Sequence, residues 1–68
     1  MKPPWTVFPD IPASSIGWRM GAGEGYYDRF YRWYSKLSAN EQDEYALKNP
    51  VPADWTDLYQ KIKEYPWL

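Results

Sequence analysis

Aromatic side chains are the feature that most constrains what this chain can fold into. They make up 21% of its 68 residues, as five Trp, seven Tyr and two Phe. Each such side chain can bury roughly 150–250 Å², whereas a chain of this length buries only about 60% of its unfolded surface. We therefore expect one domain over residues 1–68, with a core of few, large rings and some aromatic surface left outside it.

The sequence contains no Cys and no His. It therefore lacks thiolate nucleophiles, the imidazole base of serine hydrolases and the commonest zinc ligands. Asp54 and Asp57 are one turn apart in a predicted helix, but acidic residues at a helix start ordinarily interact with the helix dipole. We predict a protein that is not an enzyme and that uses no metal and no cofactor.

The charge pattern argues against two classes of partner. Eight basic and nine acidic residues are interspersed and give a net charge of −1, which is unlike the basic footprint of a nucleic-acid-binding protein. No apolar stretch approaches the ~20 residues needed to span a bilayer. The start of the chain also lacks the apolar run of a signal peptide. These features predict a cytoplasmic protein that binds neither nucleic acid nor membranes.

Residues 1–12 contain four prolines. Proline fixes φ and removes a backbone donor, so we expect neither helix nor central strand here but an extended arm. Trp5, Phe8 and Ile11 recur every third residue, which is the period of a polyproline-II segment. Two interpretations are open, because the arm could pack along its own helices or be offered to a partner.

Residues 13–25 hold all four glycines and are predicted to form a loop. Trp18, Arg19 and Met20 lie between glycines, so they could be presented outward as binding residues. In the competing interpretation the loop is a flexible turn, Trp18 folds into the core and Arg19 pairs with Glu24. A phosphate cradle is poorly supported, since no strand precedes the glycines and Glu24 would repel a phosphate.

Three helices are predicted, at residues 25–37, 39–48 and 53–64. Ser38 and Glu41 have the spacing of a capping box, which starts the second helix directly after the first. Asn49-Pro50 ends it, because the residue before a proline avoids the α region. The fold class is therefore all-α: a small array of three short helices with a Pro-rich N-terminal arm.

The first helix carries an apolar arc close to half its circumference, which is wider than one neighbouring helix can cover. Tyr27, Tyr31 and Tyr34 form one edge of this arc, and this edge should either receive the N-terminal arm or face a partner. The predicted core consists of seven residues: Phe30, Trp33, Leu37, Tyr45, Trp55, Leu58 and Ile62.

Part of the sequence resembles a pattern in small bacterial and phage-type proteins that lack a characterised activity. The resemblance rests on the string Gly17-Trp18-Arg19-Met20-Gly21-Ala22-Gly23-Glu24, followed by Trp33-Tyr34-Ser35, Ser38, Glu41-Gln42, Tyr45, Asn49-Pro50, Pro52, Trp55 and Tyr59. It covers most of residues 16–59. The resemblance implies no activity, but it favours a phage or mobile-element accessory protein.

Together these features predict a small protein–protein interaction module that inhibits or bridges a larger bacterial protein. Trp, Tyr, Met and Arg exceed what so small a core can hide, and these residue types are enriched where interfaces concentrate their binding energy. The alternative is a protein, with a homo-oligomer as one form, that binds a small, nucleotide-like ligand through the ring of Trp18 and the guanidinium of Arg19. The candidate binding residues are Trp18, Arg19, Met20, Glu24, Tyr27, Tyr31 and Tyr34.

Overall fold

The computed structural model describes residues 1–67. Within this range the chain forms five α-helices: α1 Pro4–Val7, α2 Gly17–Met20, α3 Glu24–Ser35, α4 Ala39–Lys48 and α5 Leu58–Glu64. No strand occurs in this part of the chain, so the all-α prediction is confirmed. None of these helices is long and apolar enough to cross a membrane. Leu68, which the sequence assigns to the same domain, lies outside the described residues.

The boundary between α3 and α4 follows the predicted capping chemistry. The Glu41 amide donates to the Ser38 hydroxyl at 3.2 Å, and the Ser38 amide donates to the Glu41 carboxylate at 2.9 Å. This capping box satisfies two amides at the start of the helix. As a result α4 has the predicted bounds, whereas α3 ends at Ser35 and continues to Leu37 only as a turn.

The third predicted helix is divided. Ala53–Trp55 forms a 3-10 turn in which the Trp55 amide donates to the Pro52 carbonyl at 2.9 Å. The α-helical part begins only at Leu58. A 3-10 turn winds more tightly than an α-helix, and here it carries Trp55 into the core.

The prediction that the N-terminal arm contains no helix is wrong. Pro4 is the first residue of α1, and the amides of Thr6 and Val7 donate to the Pro3 carbonyl at 3.0 and 3.3 Å. Proline is excluded from helix interiors, but at the first helical position its missing N–H would have no partner in any case. The spacing between Pro4 and Pro9 leaves room for one turn of helix.

The core is centred on α3, which packs against α1, α2 and α5. Its buried hydrophobic residues are Trp18, Phe30, Tyr34, Trp55, Leu58, Tyr59 and Ile62. Four of the seven predicted core residues are therefore buried, whereas Trp33, Leu37 and Tyr45 are only half-buried. Phe30 and Tyr34 form the inner ridge of α3, and Trp33 lies beside this ridge with its ring edge-on to Tyr45.

Candidate functional site

The glycine-rich segment is a packed turn of helix and not the flexible loop predicted from sequence. A Cβ on Gly21 would lie 2.8 Å from the Cα of Gly17, and a Cβ on Gly23 would lie 2.5 Å from a ring carbon of Trp18. No glycine in residues 1–67 has a positive φ. Gly21 and Gly23 are therefore required for close approach, and they let α2 pack tightly at the start of α3.

Trp18 anchors this turn in the core. Its side chain is only 6% exposed, and its indole N–H donates to the Pro12 carbonyl at 2.9 Å. The ring also packs edge-on against Trp55, with centroids 5.1 Å apart, and against Phe8 at 6.0 Å. Trp18 is therefore a structural residue, as the competing interpretation of the sequence predicted, and its ring is not free to stack on a ligand.

The residues on either side of Trp18 point outward. Ile16 is 67% exposed and Met20 is 77% exposed, although both are large and apolar. They are four residues apart, so they share one face of the turn, and the exposed Arg19 lies next to Met20. Sequence reasoning missed Ile16. Its i, i+4 spacing to Met20 was a usable signal only once the segment was known to be helical.

Glu24 is exposed at the first position of α3. A carboxylate there interacts favourably with the positive end of the helix dipole. Within residues 1–67 no ion pair joins it to Arg19. The predicted Arg19–Glu24 pairing is therefore not formed.

The predicted tyrosine edge is mostly covered from within. Tyr34 has no exposed surface, and its hydroxyl donates to the main-chain carbonyl of Gln42 at 3.1 Å. Tyr31 is half-buried; its hydroxyl donates to the Tyr65 carbonyl, and its ring packs against Trp67. The C-terminal tail, and not the N-terminal arm, thus covers this part of the edge. Tyr34 is therefore part of the core, and the Tyr31 hydroxyl is hydrogen-bonded within the domain.

The N-terminal arm crosses a different surface of the domain. Trp5 packs against Trp55 and Tyr59, with ring centroids 5.5 and 6.0 Å apart. Phe8 packs edge-on against Tyr26 at 6.0 Å. The sequence left two interpretations of the arm open. In the structure the arm packs on its own domain.

A cleft of about 520 Å³ separates α2 from residues 54–61. Trp18, Trp55 and Tyr27 contribute aromatic surface to its lining, and Arg19 contributes a charge on the α2 side. The opposite side carries Asp54, Asp57 and Lys61, together with the hydroxyl of Thr56. Tyr27 is thus the only member of the predicted tyrosine edge that lines this cleft.

A second, smaller hollow of about 240 Å³ lies on the other side of α3. Trp33, Leu37 and Tyr45 contribute its apolar surface. Its charged side chains already have partners, since Lys48 pairs with Glu44 at 3.1 Å and Glu41 caps α4. The cleft beside α2 is therefore the better candidate for binding.

Burial raises the pKa of several tyrosines. The effect is largest at Tyr45 and Tyr59, whose neighbouring tyrosines raise the pKa further. Burial also raises the pKa of Tyr31, although the nearby charge of Lys61 partly opposes this. Desolvation disfavours a phenolate, so these hydroxyls stay protonated and serve as hydrogen-bond donors.

Comparisons with family models, with curated proteins and with solved structures find no match to this chain.

Proposed function

We propose that this chain is a non-catalytic protein-binding module that docks on a larger protein through the exposed side of α2. The observation that carries the proposal is the exposure of Ile16 and Met20 on a rigidly anchored turn. Trp18 and two close-packed glycines fix the backbone, so little conformational entropy remains to be lost when a partner binds. Arg19 adds a side chain of the type enriched in interface centres.

The small-ligand alternative has less support. Stacking a nucleotide base on Trp18 would require displacing Phe8 or Trp55 from its ring. Asp54 and Asp57 in the adjoining cleft would also repel a phosphate. The origin of the chain in a phage or mobile element, and an inhibiting or bridging action on a bacterial protein, stay predictions from the sequence.

The test is affinity capture from a lysate of the encoding organism, with the purified chain immobilised. Met20→Asp places a charge in the proposed interface and should reduce recovery of the partner at least about tenfold. Arg19→Ala should weaken the binding free energy for the partner by more than about 1 kcal/mol. Both variants should melt within a few degrees of the parent protein, because surface substitutions usually change stability by less than about 0.5 kcal/mol.

Leu47→Asp is the matched control, because Leu47 is a large apolar residue that is 84% exposed on α4, away from the proposed docking surface on α2. It should capture the partner as well as the parent chain does. Equal recovery by Met20→Asp and the parent chain would contradict the proposal. Sedimentation over a range of concentrations tests the oligomeric alternative: a dimer that Met20→Asp dissociates would identify a second copy as the occupant of this surface.

A further inference from the structure

The hydroxyl of Tyr27 is used differently from those of the other buried and half-buried tyrosines. The hydroxyls of Tyr26, Tyr31, Tyr34, Tyr45 and Tyr59 each donate to a main-chain carbonyl. Tyr27 makes no such bond within residues 1–67. No fully buried side-chain polar atom in this range lacks a partner, so the Tyr27 hydroxyl is accessible to solvent, and Tyr27 is one of the residues that line the open cleft.

The charges of the cleft are also unpaired, and both ion pairs within residues 1–67 lie outside it. Lys63 pairs with Asp43 at 2.7 Å and Lys48 with Glu44 at 3.1 Å. In the described part of the chain neither Asp57 nor Lys61 has an ion-pair partner, although they are one turn apart. Asp57 occupies the position before α5, yet its side chain makes no capping hydrogen bond. The Asp57 carboxylate therefore has no capping partner in the described residues, and its oxygens remain open to another donor.

The distance between Asp57 and Lys61 along the helix is similar to the distance between alternate residues of an extended peptide. Four residues of helix advance about 6 Å along the axis, which separates Asp57 from Lys61 along one wall. Alternate residues of an extended strand lie about 6.6 Å apart and point to the same side. A basic and an acidic side chain at positions i and i+2 of a peptide can therefore meet Asp57 and Lys61 at the same time.

We propose that the cleft binds an extended peptide segment with a basic and an acidic residue two positions apart. The basic residue lies against Asp54 and Asp57, and the acidic residue lies between Lys61 and Arg19 on the opposite wall. The hydroxyl of Tyr27 donates to a carbonyl of the peptide backbone. Long side chains can lay their apolar stems over the aromatic surface. The inference rests on the proposed function in taking the partner to be a protein.

Titration of the ¹⁵N-labelled protein with five-residue peptides tests this inference. The probe is Thr-Lys-Val-Glu-Thr, and the comparison peptides are Thr-Lys-Val-Lys-Thr and Thr-Glu-Val-Glu-Thr. We expect the mixed-charge peptide to shift the amide signals of α2 and of residues 54–61, and to bind more tightly than either comparison peptide. Shifts located elsewhere, or equal binding of all three peptides, would overturn the proposal. Inorganic phosphate, added separately, should produce no shifts in the cleft.

Two variants of cleft residues and one control variant separate recognition from structure. Tyr27→Phe should weaken binding about threefold to tenfold, because it removes one hydrogen bond. Tyr26→Phe is its matched control, since the Tyr26 hydroxyl donates to the Lys2 carbonyl outside the cleft, and it should leave peptide affinity unchanged. Lys61→Glu makes this wall entirely acidic, so the preference should change from the mixed-charge peptide to the dibasic one.

The outcomes distinguish this inference from the proposed function. Capture of a partner that depends on Met20, without any shift by the mixed-charge peptide, overturns the peptide cleft and leaves the docking surface intact. Peptide shifts in the cleft, without Met20-dependent capture, contradict the docking surface alone. If Lys61→Glu keeps the original peptide preference, charge pairing along this wall is wrong.

Discussion

The two faces of α3 differ in whether their polar groups have hydrogen-bond partners within the domain. On the face toward α4, Tyr34 and Gln42 each donate to the other's main-chain carbonyl, at 3.1 and 2.9 Å. On the face toward α2, Tyr27 and the charges of the cleft have no such partners among residues 1–67. A small domain needs satisfied polar groups where it is buried, so groups left open beside a cleft are free to interact with another molecule.

The difference extends to how each face exposes apolar surface. On the face toward α4 the rings pack closely: Tyr34 is edge-on to Tyr45 of α4 at 5.8 Å and nearly parallel to Tyr59 of α5 at 5.0 Å between centroids. Toward α2 a single buried ring, Trp18, holds a turn whose neighbouring apolar side chains remain in solvent. The packed rings on the α4 side stabilise the fold. The exposed apolar side chains on the α2 side are available for contact with another molecule.

The strongest test of the packed face is Tyr34→Ala. It removes a fully buried ring together with its hydrogen bond to Gln42, and large aromatic-to-Ala changes cost about 3–5 kcal/mol. That is comparable to the whole stability of many small domains, so we expect largely unfolded protein by circular dichroism. A cooperative melt close to that of the parent chain would show that this face does not hold the fold together.

Gly23→Ala tests whether α2 is held by close packing. The added methyl would lie 2.5 Å from a Trp18 ring carbon, so the ring must move. Overpacking of this kind costs about 1–3 kcal/mol, and denaturant unfolding should show that loss. Gly25→Ala is the control, because its nearest neighbour is the end of the flexible Arg29 side chain at 3.4 Å. Equal stability of the two variants would contradict a rigid α2.

Alkaline pH should lower the free energy of unfolding through the buried tyrosines, among them Tyr59 of the packed face. Burial raises the pKa of Tyr59 in the folded state, whereas in the unfolded chain tyrosine ionises near pH 10. Above that pH the unfolded state binds fewer protons, so the free energy of unfolding must fall as pH rises. In urea melts from about pH 9 to 12, Tyr59→Phe should flatten this fall. The same slope in both proteins would mean that Tyr59 ionises equally in the two states.

The smallest expected effect is the most direct comparison of the two faces. Tyr59→Phe removes a hydroxyl that donates to the Asn49 carbonyl at 2.7 Å, and should cost about 0.5–1.5 kcal/mol at neutral pH. Tyr27→Phe removes a hydroxyl with no partner in the described residues, and should change stability by less than about 0.5 kcal/mol. Chemical denaturation of both variants measures the difference. Equal losses of stability in the two variants would contradict the proposed difference between the two faces.

The candidate site could be predicted only in part. Glycine flanks pointed to residues 17–21, and Arg19 and Met20 are indeed exposed. The flanks could not show that Trp18 turns inward, because that depends on the Pro12 carbonyl and on the Trp55 ring, which is distant in sequence. Asp54 and Asp57 were interpreted from sequence as dipole partners of a helix start. Their position on a cleft wall follows only from the approach of α2.

Sequence alone determined the elements whose signals are local. The Ser38–Glu41 capping box and the proline after Asn49 fix α4 from both ends, because capping and proline sterics act within a few residues. Tertiary structure decided which aromatic rings are buried. Trp33 and Tyr34 are equally eligible on the helical wheel, but Tyr34 is buried because Tyr59 and Gln42 meet it there. Periodicity gives the direction of a side chain, whereas burial depends on what the rest of the chain brings against it.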